Sequence, residues 1–136
     1  MRLIVDTNKI LSALLNKGLS RKIINSQNID FYTVDYALEE INKYMGHIVK
    51  KSGLTKDEIN TMLSLFMENV DIISDEKVKS KINEAMDVME DIDPKDAPIL
   101  SCALAIPNDG IWTEDKHFEK QKRVKIWHSK DLLKYI

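Results

Sequence analysis

The stretch Leu3-Ile4-Val5-Asp6-Thr7-Asn8 decides the fold. Three consecutive aliphatic residues suit a strand buried on both faces, which is the situation of a strand inside a parallel sheet. A carboxylate follows at once. Open α/β sheets bind ligands just beyond the carboxyl ends of their strands, so Asp6 stands where an acid can reach a site while its strand stays in the core.

Outward from this strand, Ile10 to Leu15 has the pattern of a short helix stopped by Asn16-Lys17-Gly18, and Ser20 is placed to cap a second short helix through Ser26. IDFYTV, 29–34, predicts a second strand. Tyr36 to Lys51 has helical spacing at Leu38, Ile41, Met45 and Ile48, with Ser52-Gly53 as its stop. Thr55-Lys56-Asp57-Glu58 is a capping box, and the helix it opens carries Ile59, Met62, Leu63, Phe66 and Met67 on one side. VDII, 70–73, predicts a third strand, followed by a polar helix from Glu76 to Met89. Asp93 and Pro94 suit the cap and first position of a helix running to Ala105. Beyond the turn at 107–110, GIWT and VKIW predict two more strands, which would bury Trp112 and Trp127, and Ser129 caps a last helix. Strands alternating with helices, without repeat or linker, predict one domain over 1–136 with a parallel sheet covered on both faces.

Composition bounds the function. The 136 residues are 43% hydrophobic and 31% charged, as in a soluble globular protein. Cys102 is the one cysteine, so no internal disulfide can form, and its neighbours Leu100, Ala103 and Leu104 mark it as core. No signal peptide precedes the first strand, and no apolar run approaches the roughly 20 residues of a membrane span. The expectation is a cytoplasmic protein with no membrane partner. A net charge of −2 does not advertise a nucleic-acid binder. Acids that hold cations lower that figure, however, while Arg21-Lys22, Lys50-Lys51 and the run Lys116, Lys120, Lys122, Arg123, Lys125 remain for phosphates. His47, His117 and His128 have no zinc spacing with Cys102.

Partners for Asp6 are sought at equivalent edges. Asp115 lies two residues beyond Thr113, at the end of the predicted fourth strand; Asp96 lies in a first helical turn, and Glu39 and Glu40 lie near the start of another helix. If these helices begin at one edge, three or four carboxylates converge. Their mutual repulsion is relieved by a cation, and an all-oxygen set favours Mg²⁺ or Mn²⁺. Asp93 also reads as a plain helix cap, Asp115 as a turn residue and His117 as an exposed surface histidine.

LIVDTNKILSALL, ALEEI, DPKDAPILSCALA and IWTEDKHF, in this order and spacing, resemble the PIN domain family of metal-dependent ribonucleases along nearly the whole chain. The resemblance implies a three-layer α/β/α sandwich around a central, mostly parallel sheet of four or five strands. It makes Asp6, Glu40, Asp96 and Asp115 the four catalytic acids, with Asp6, Asp96 and Asp115 as metal ligands. Asn8 and Thr113 match the supporting polar positions. Glu39 adjoins the second acid, and the acid-then-aliphatic pair Glu40-Ile41 selects Glu40 by register. His117 stands where many members carry a further acid, and would cost a metal ligand or supply a proton donor.

The implied chemistry is hydrolysis of RNA by metal-activated water, leaving 5′-phosphate and 3′-hydroxyl ends, on a single strand or a structured loop. The implied settings are the toxin of a VapC-type toxin-antitoxin pair, with an antitoxin partner, or an RNA-processing nuclease; a homodimer through the helix near 55–69 is expected. The alternative is a PIN-fold module that binds RNA or protein without catalysis. Haloacid-dehalogenase and response-regulator folds fit less well: the first wants Asp where Asn8 stands, and the second wants paired acids near the first strand.

Overall fold

The computed structural model describes residues 1–136. Its sheet contains β1 (Arg2–Val5), β2 (Asp30–Val34), β3 (Val70–Ile73), β4 (Ile111–Trp112) and β5 (Ile126–Trp127), in spatial order β3-β2-β1-β4-β5. Every neighbouring pair is parallel, so the sheet is wholly rather than mostly parallel. The central strand therefore has both faces covered. Side chains alternate across it: Leu3 and Val5 enter one core and Ile4 the other.

The first layer holds α1 (Thr7–Leu15), α2 (Leu19–Ile24), α4 (Met45–Ser52) and α5 (Lys56–Met67), whose Ile10, Leu14, Ile24, Ile48, Ile59 and Phe66 pack with Leu3 and Val5. On the opposite face, α7 (Ile82–Met89), α8 (Ala97–Ala105) and α9 (Lys116–Glu119) bring Met89, Leu100, Cys102 and Phe118 to Ile4, and α6 (Asp75–Lys79) lies beside them. Between the layers runs α3 (Asp35–Lys43), with Ala37 in the second core and Ile41 in the first. These are the layers of a PIN-like α/β/α sandwich. No helix is long and apolar enough to cross a membrane.

Several helical expectations are corrected. The helix expected over 36–51 breaks at Tyr44 (φ −95°, ψ 9°) into α3 and α4, where the Tyr44 N–H is shared between the Glu40 and Ile41 carbonyls at 3.1 and 3.2 Å, although Leu38, Ile41, Met45 and Ile48 all meet the first core. The helix over 76–89 breaks at Ser80-Lys81, where the Ser80 hydroxyl donates to the Lys77 carbonyl at 2.6 Å and competes with the helical ladder. Pro94–Asp96 forms a 3-10 turn before α8 starts, since Pro98 has no N–H to give the Pro94 carbonyl and Ala97 bonds it instead. Ser20 does not cap α2; Gly18 holds that position and Ser20 is buried as the second residue of the helix. The last helix is a 3-10 turn, Ser129–Leu132, entered from His128, whose N–H donates to Asp131 at 3.0 Å.

Other local readings hold. Thr55 and Glu58 exchange capping-box bonds, both at 3.1 Å, and Asp93 accepts the Lys95 N–H at 3.1 Å. Trp112 and Trp127 are buried, as is Cys102, whose thiol burial pushes up to about 12.

Gly110, entering β4, has φ +139°, a conformation that side chains rarely adopt, and a β-carbon there would lie 2.4 Å from the Lys125 carbonyl oxygen and 2.8 Å from the Trp127 ring. Both obstacles belong to β5 and its lead-in. Gly110→Ala is therefore expected to destabilise the fold by about 3 kcal/mol, read as a lower urea midpoint at unchanged slope; an unaltered midpoint would show that this end of the sheet yields.

Candidate active site

In this strand order the chain leaves β1 towards β2 and later returns beside it as β4, so the order reverses between β1 and β4. Beyond the carboxyl ends of two such strands lies a crevice, the usual ligand site of an open α/β sheet. Asp6 and Thr113 are the first residues past them, and both are buried. Thr113 Oγ1 donates to Asp6 Oδ2 at 2.8 Å and accepts the Asp115 N–H at 3.0 Å. One hydroxyl thus aligns two acids. Asp115 in turn caps α9, accepting the His117 N–H at 2.9 Å.

Burial pushes the Asp6 carboxyl above its ordinary range against the opposing Thr113 bond, and the charges of Asp115 and Glu40 push the same way. Asp96, at the start of α8, is pushed up to about 7 by burial first, then by the charges of Asp115, Asp6 and Asp93, with His117 acting in the opposite direction. Glu40 lies in the second turn of α3 and accepts from Thr7 Oγ1 at 3.5 Å. Glu39, about 100° round the helix, is exposed. Asn8 is exposed and lines a cleft with Glu40. The fold thus sets Asp6 within electrostatic reach of Glu40 and Asp115, and Asp96 within reach of Asp6 and Asp115, while Glu39 is exposed.

His117 is not a detached surface residue. Its Nδ1 lies 3.3 Å from Asp93, 3.4 Å from Asp115 and 3.7 Å from Asp96. Capping by Asp115 starts α9 so that the ring turns back over the acids. Asp93, Asp96 and His117 each offer a ligand atom within 4.8 Å of the others. Asp96 Oδ2 and His117 Nδ1 are shielded from solvent yet make no hydrogen bond. Buried polar atoms rarely stay unpaired, and an orphaned carboxylate oxygen among other carboxylates fits a cation.

A family model described as PIN domain matches residues 4–136. The chain belongs to the PIN domain family. PIN domains are generally nucleases and typically use divalent metals, which agrees with an acidic cluster at the carboxyl edge of the sheet. No curated protein matches the chain significantly.

This PIN domain also has a charged network that no motif announces. Lys9 on α1 is buried, and its Nζ donates to Glu114 Oε1 at 3.2 Å and to Ser129 Oγ at 3.3 Å. His128 is held between Glu114 (2.7 Å) and Glu119 (2.6 Å), which raise its pKa, chiefly through the Glu114 bond. Burial alone would raise the Glu114 carboxyl, but bonds from the Ser129 N–H, His128, the Ser129 hydroxyl and Lys9 hold it at about 2. Glu114 sits between Thr113 and Asp115, so the network anchors the loop that carries the fourth acid. Its one signal in the sequence is a lysine on the inward face of α1, beside Ile10 and four residues before Ala13.

The Asp96 shift sets a pH dependence. A carboxyl whose folded pKa is raised contributes stability that is fully present below its unfolded value, near 4, and is lost as pH rises through about 7. In EDTA, Asp96→Asn should melt close to wild type at pH 4 and on the order of 5 °C above it at pH 7.5. A difference that stays constant across this range would show that Asp96 feels no such environment.

Proposed function

We propose that this PIN domain is a metal-dependent endoribonuclease that hydrolyses RNA phosphodiester bonds and leaves 5′-phosphate and 3′-hydroxyl ends. The observation that carries the reading is the orphaned, solvent-shielded Asp96 Oδ2, in a carboxyl raised by burial first and then by the charges of Asp115, Asp6 and Asp93. Nature seldom buries like charges together without a counter-ion, and hard oxygen donors suit Mg²⁺ or Mn²⁺. Asp6, Asp96 and Asp115 would hold the ion, with Asp93 and His117 at its rim. When bound, the ion supplies a Lewis acid that lowers the pKa of water and stabilises charge on the scissile phosphate.

The side chains do the rest. Thr113 holds Asp6 Oδ2 in one orientation through its 2.8 Å bond, and Thr7 steadies Glu40. The Glu40 carboxylate takes a proton from the attacking water. As the new oxygen–phosphorus bond forms, the bond to O3′ breaks in line with it, and O3′ takes up a proton from water or from His117 at the edge of the acids. Asn8, exposed beside Glu40, hydrogen-bonds the strand without charge. Lysines and arginines at the rim hold flanking phosphates, so binding weakens as salt rises.

Two settings suit this chemistry: the toxin of a toxin-antitoxin pair, silenced by its antitoxin, or an RNA-processing enzyme acting alone. Co-purification of the untagged protein from its own cells separates them, since only the toxin carries a small tightly bound partner. A homodimer through the outer face of α5, where Leu65 is 55% exposed, completes the reading.

Calorimetric titration with Mn²⁺ should give saturable binding that Asp6→Asn and Asp96→Asn each weaken by about 10-fold or more. Equal binding by wild type and both variants puts the ion elsewhere. With Mg²⁺ or Mn²⁺ the wild type should cleave single-stranded RNA and stop on addition of EDTA. Asp115→Asn and Glu40→Gln should lower kcat/KM by about 100-fold or more with circular dichroism unchanged, whereas Glu39→Gln stays within about 3-fold of wild type. New 5′-phosphate ends mapped in pooled cellular RNA are the readout. Ends equally abundant with wild type and Asp115→Asn, or absent with both, would replace the nuclease with a non-catalytic binding module.

A further inference from the structure

A cleft of about 520 Å³ lies between α1 and α4, and Glu40 is the one acid of the candidate site that lines it. Asn8 lines it with Glu40. From there two helical stripes face one another. On α1 the stripe continues through Leu11, Ser12 and Leu15, and on the other wall it runs Tyr44, His47, Ile48 and Lys51. Both follow the i, i+3, i+4, i+7 spacing that keeps residues on one helix face. Beyond Glu40 the lining combines apolar groups with the Ser12 and Asn16 side chains and the His47 imidazole, and Lys51, its only fixed positive charge, lies farthest along α4 from Glu40.

Tyr44 is the unusual member. It sits at the break between α3 and α4 and is 46% exposed, although its neighbours Ile41, Met45 and Ile48 are buried. An exposed aromatic ring costs hydration without adding to the core, and it offers a flat face to whatever enters. From Tyr44 to Lys51 the helix advances about 10 Å, the reach of one or two nucleotides. Ser12 and Asn16 on the opposite wall supply donors and acceptors for a base edge. The chemistry on offer is therefore a stacking surface, neutral hydrogen-bonding groups and one cation beyond them. An unpaired nucleotide with its adjoining phosphate presents the complement to each.

We propose that the α1–α4 cleft is a nucleotide subsite that takes one unpaired base of the RNA strand, stacked on Tyr44, with the neighbouring phosphate held by Lys51. The assignment rests on the nuclease reading, because the cleft begins at Glu40 and Asn8. It favours single-stranded RNA as the substrate: a base paired within a duplex would first have to unpair and unstack, at a cost in free energy, before entering between the helices. The subsite also gives the strand a direction of approach, with the scissile phosphate at the acids and the stacked base to the side of α4.

Two measurements on the full chain test this. Single-stranded RNA carrying 5-iodouridine, irradiated with the protein in EDTA, should crosslink at Tyr44, identified by mass spectrometry of the digested adduct, and the same strand in a full duplex should not. In steady-state cleavage, Tyr44→Ala should raise KM about 10-fold with kcat within about 3-fold, and Tyr44→Phe should restore it. Lys51→Ala should raise KM and lessen its salt dependence by about one phosphate contact. Crosslinks only outside the cleft, together with Tyr44→Ala cleaving like wild type, overturn the subsite and leave the nuclease standing. Crosslinking at Tyr44 by a protein that cleaves no RNA keeps the subsite and overturns the nuclease. A protein that does neither overturns both.

Discussion

The bond from Thr113 to Asp6 is the contact on which the candidate site depends. It joins the first residue past β1 to the first past β4 at 2.8 Å, across the point where strand order reverses. A carboxylate buried there loses most of its hydration, a cost that a single hydroxyl offsets only in part, which is why burial dominates the upward push on Asp6. Such strain persists only where the surroundings are rigid. Here Leu3, Ile4 and Val5 are each fully buried, and two cores clamp the strand from both faces. The core stabilises what the acids destabilise, and the site inherits its precision from the sheet.

The acids also determine how the rest of the charge is arranged. On one side of the Thr113–Asp115 loop the carboxyls of Asp6 and Asp96 are raised by burial first and then by the charge of Asp115, with His117 Nδ1 3.7 Å from Asp96 and 3.4 Å from Asp115. On the other side Glu114 is balanced by Lys9 and His128, with Ser129 and the Trp112 indole N–H completing the network. The two halves of one short loop are thus in opposite electrostatic states. The balanced half holds the backbone still, and the unbalanced half is left to bind. A loop with every charge paired would be more stable and would have nothing to offer a cation.

Much of this was legible because short-range rules act within a few residues. The aliphatic run before Asp6, the Thr55 capping box and the Asp93 cap are local patterns, and each appears as expected. Helix register also separates Glu40, which meets Thr7, from exposed Glu39. Where local patterns failed, a tertiary demand had overridden them. The stripe from Leu38 to Ile48 reads as one helix and all of it meets the first core, yet α3 also places Ala37 in the second, and the chain breaks at Tyr44 before α4 continues the stripe. That break is also what leaves the Tyr44 ring at the cleft.

From the sequence alone came the alternation of strands and helices, the parallel sheet, and the acids at strand ends and helix starts, because hydrophobic period and capping chemistry are written into neighbouring residues. Only the tertiary structure decided that His117 turns inward over Asp93, Asp96 and Asp115, that buried Lys9 pairs with Glu114, and that α1 and α4 leave a cleft between them. Lys9 and Glu114 lie 105 residues apart, and nothing in the spacing of either names the other. Electrostatic environment is a property of every charge within several ångströms, whatever its place in the chain, so it exists only once the chain has folded.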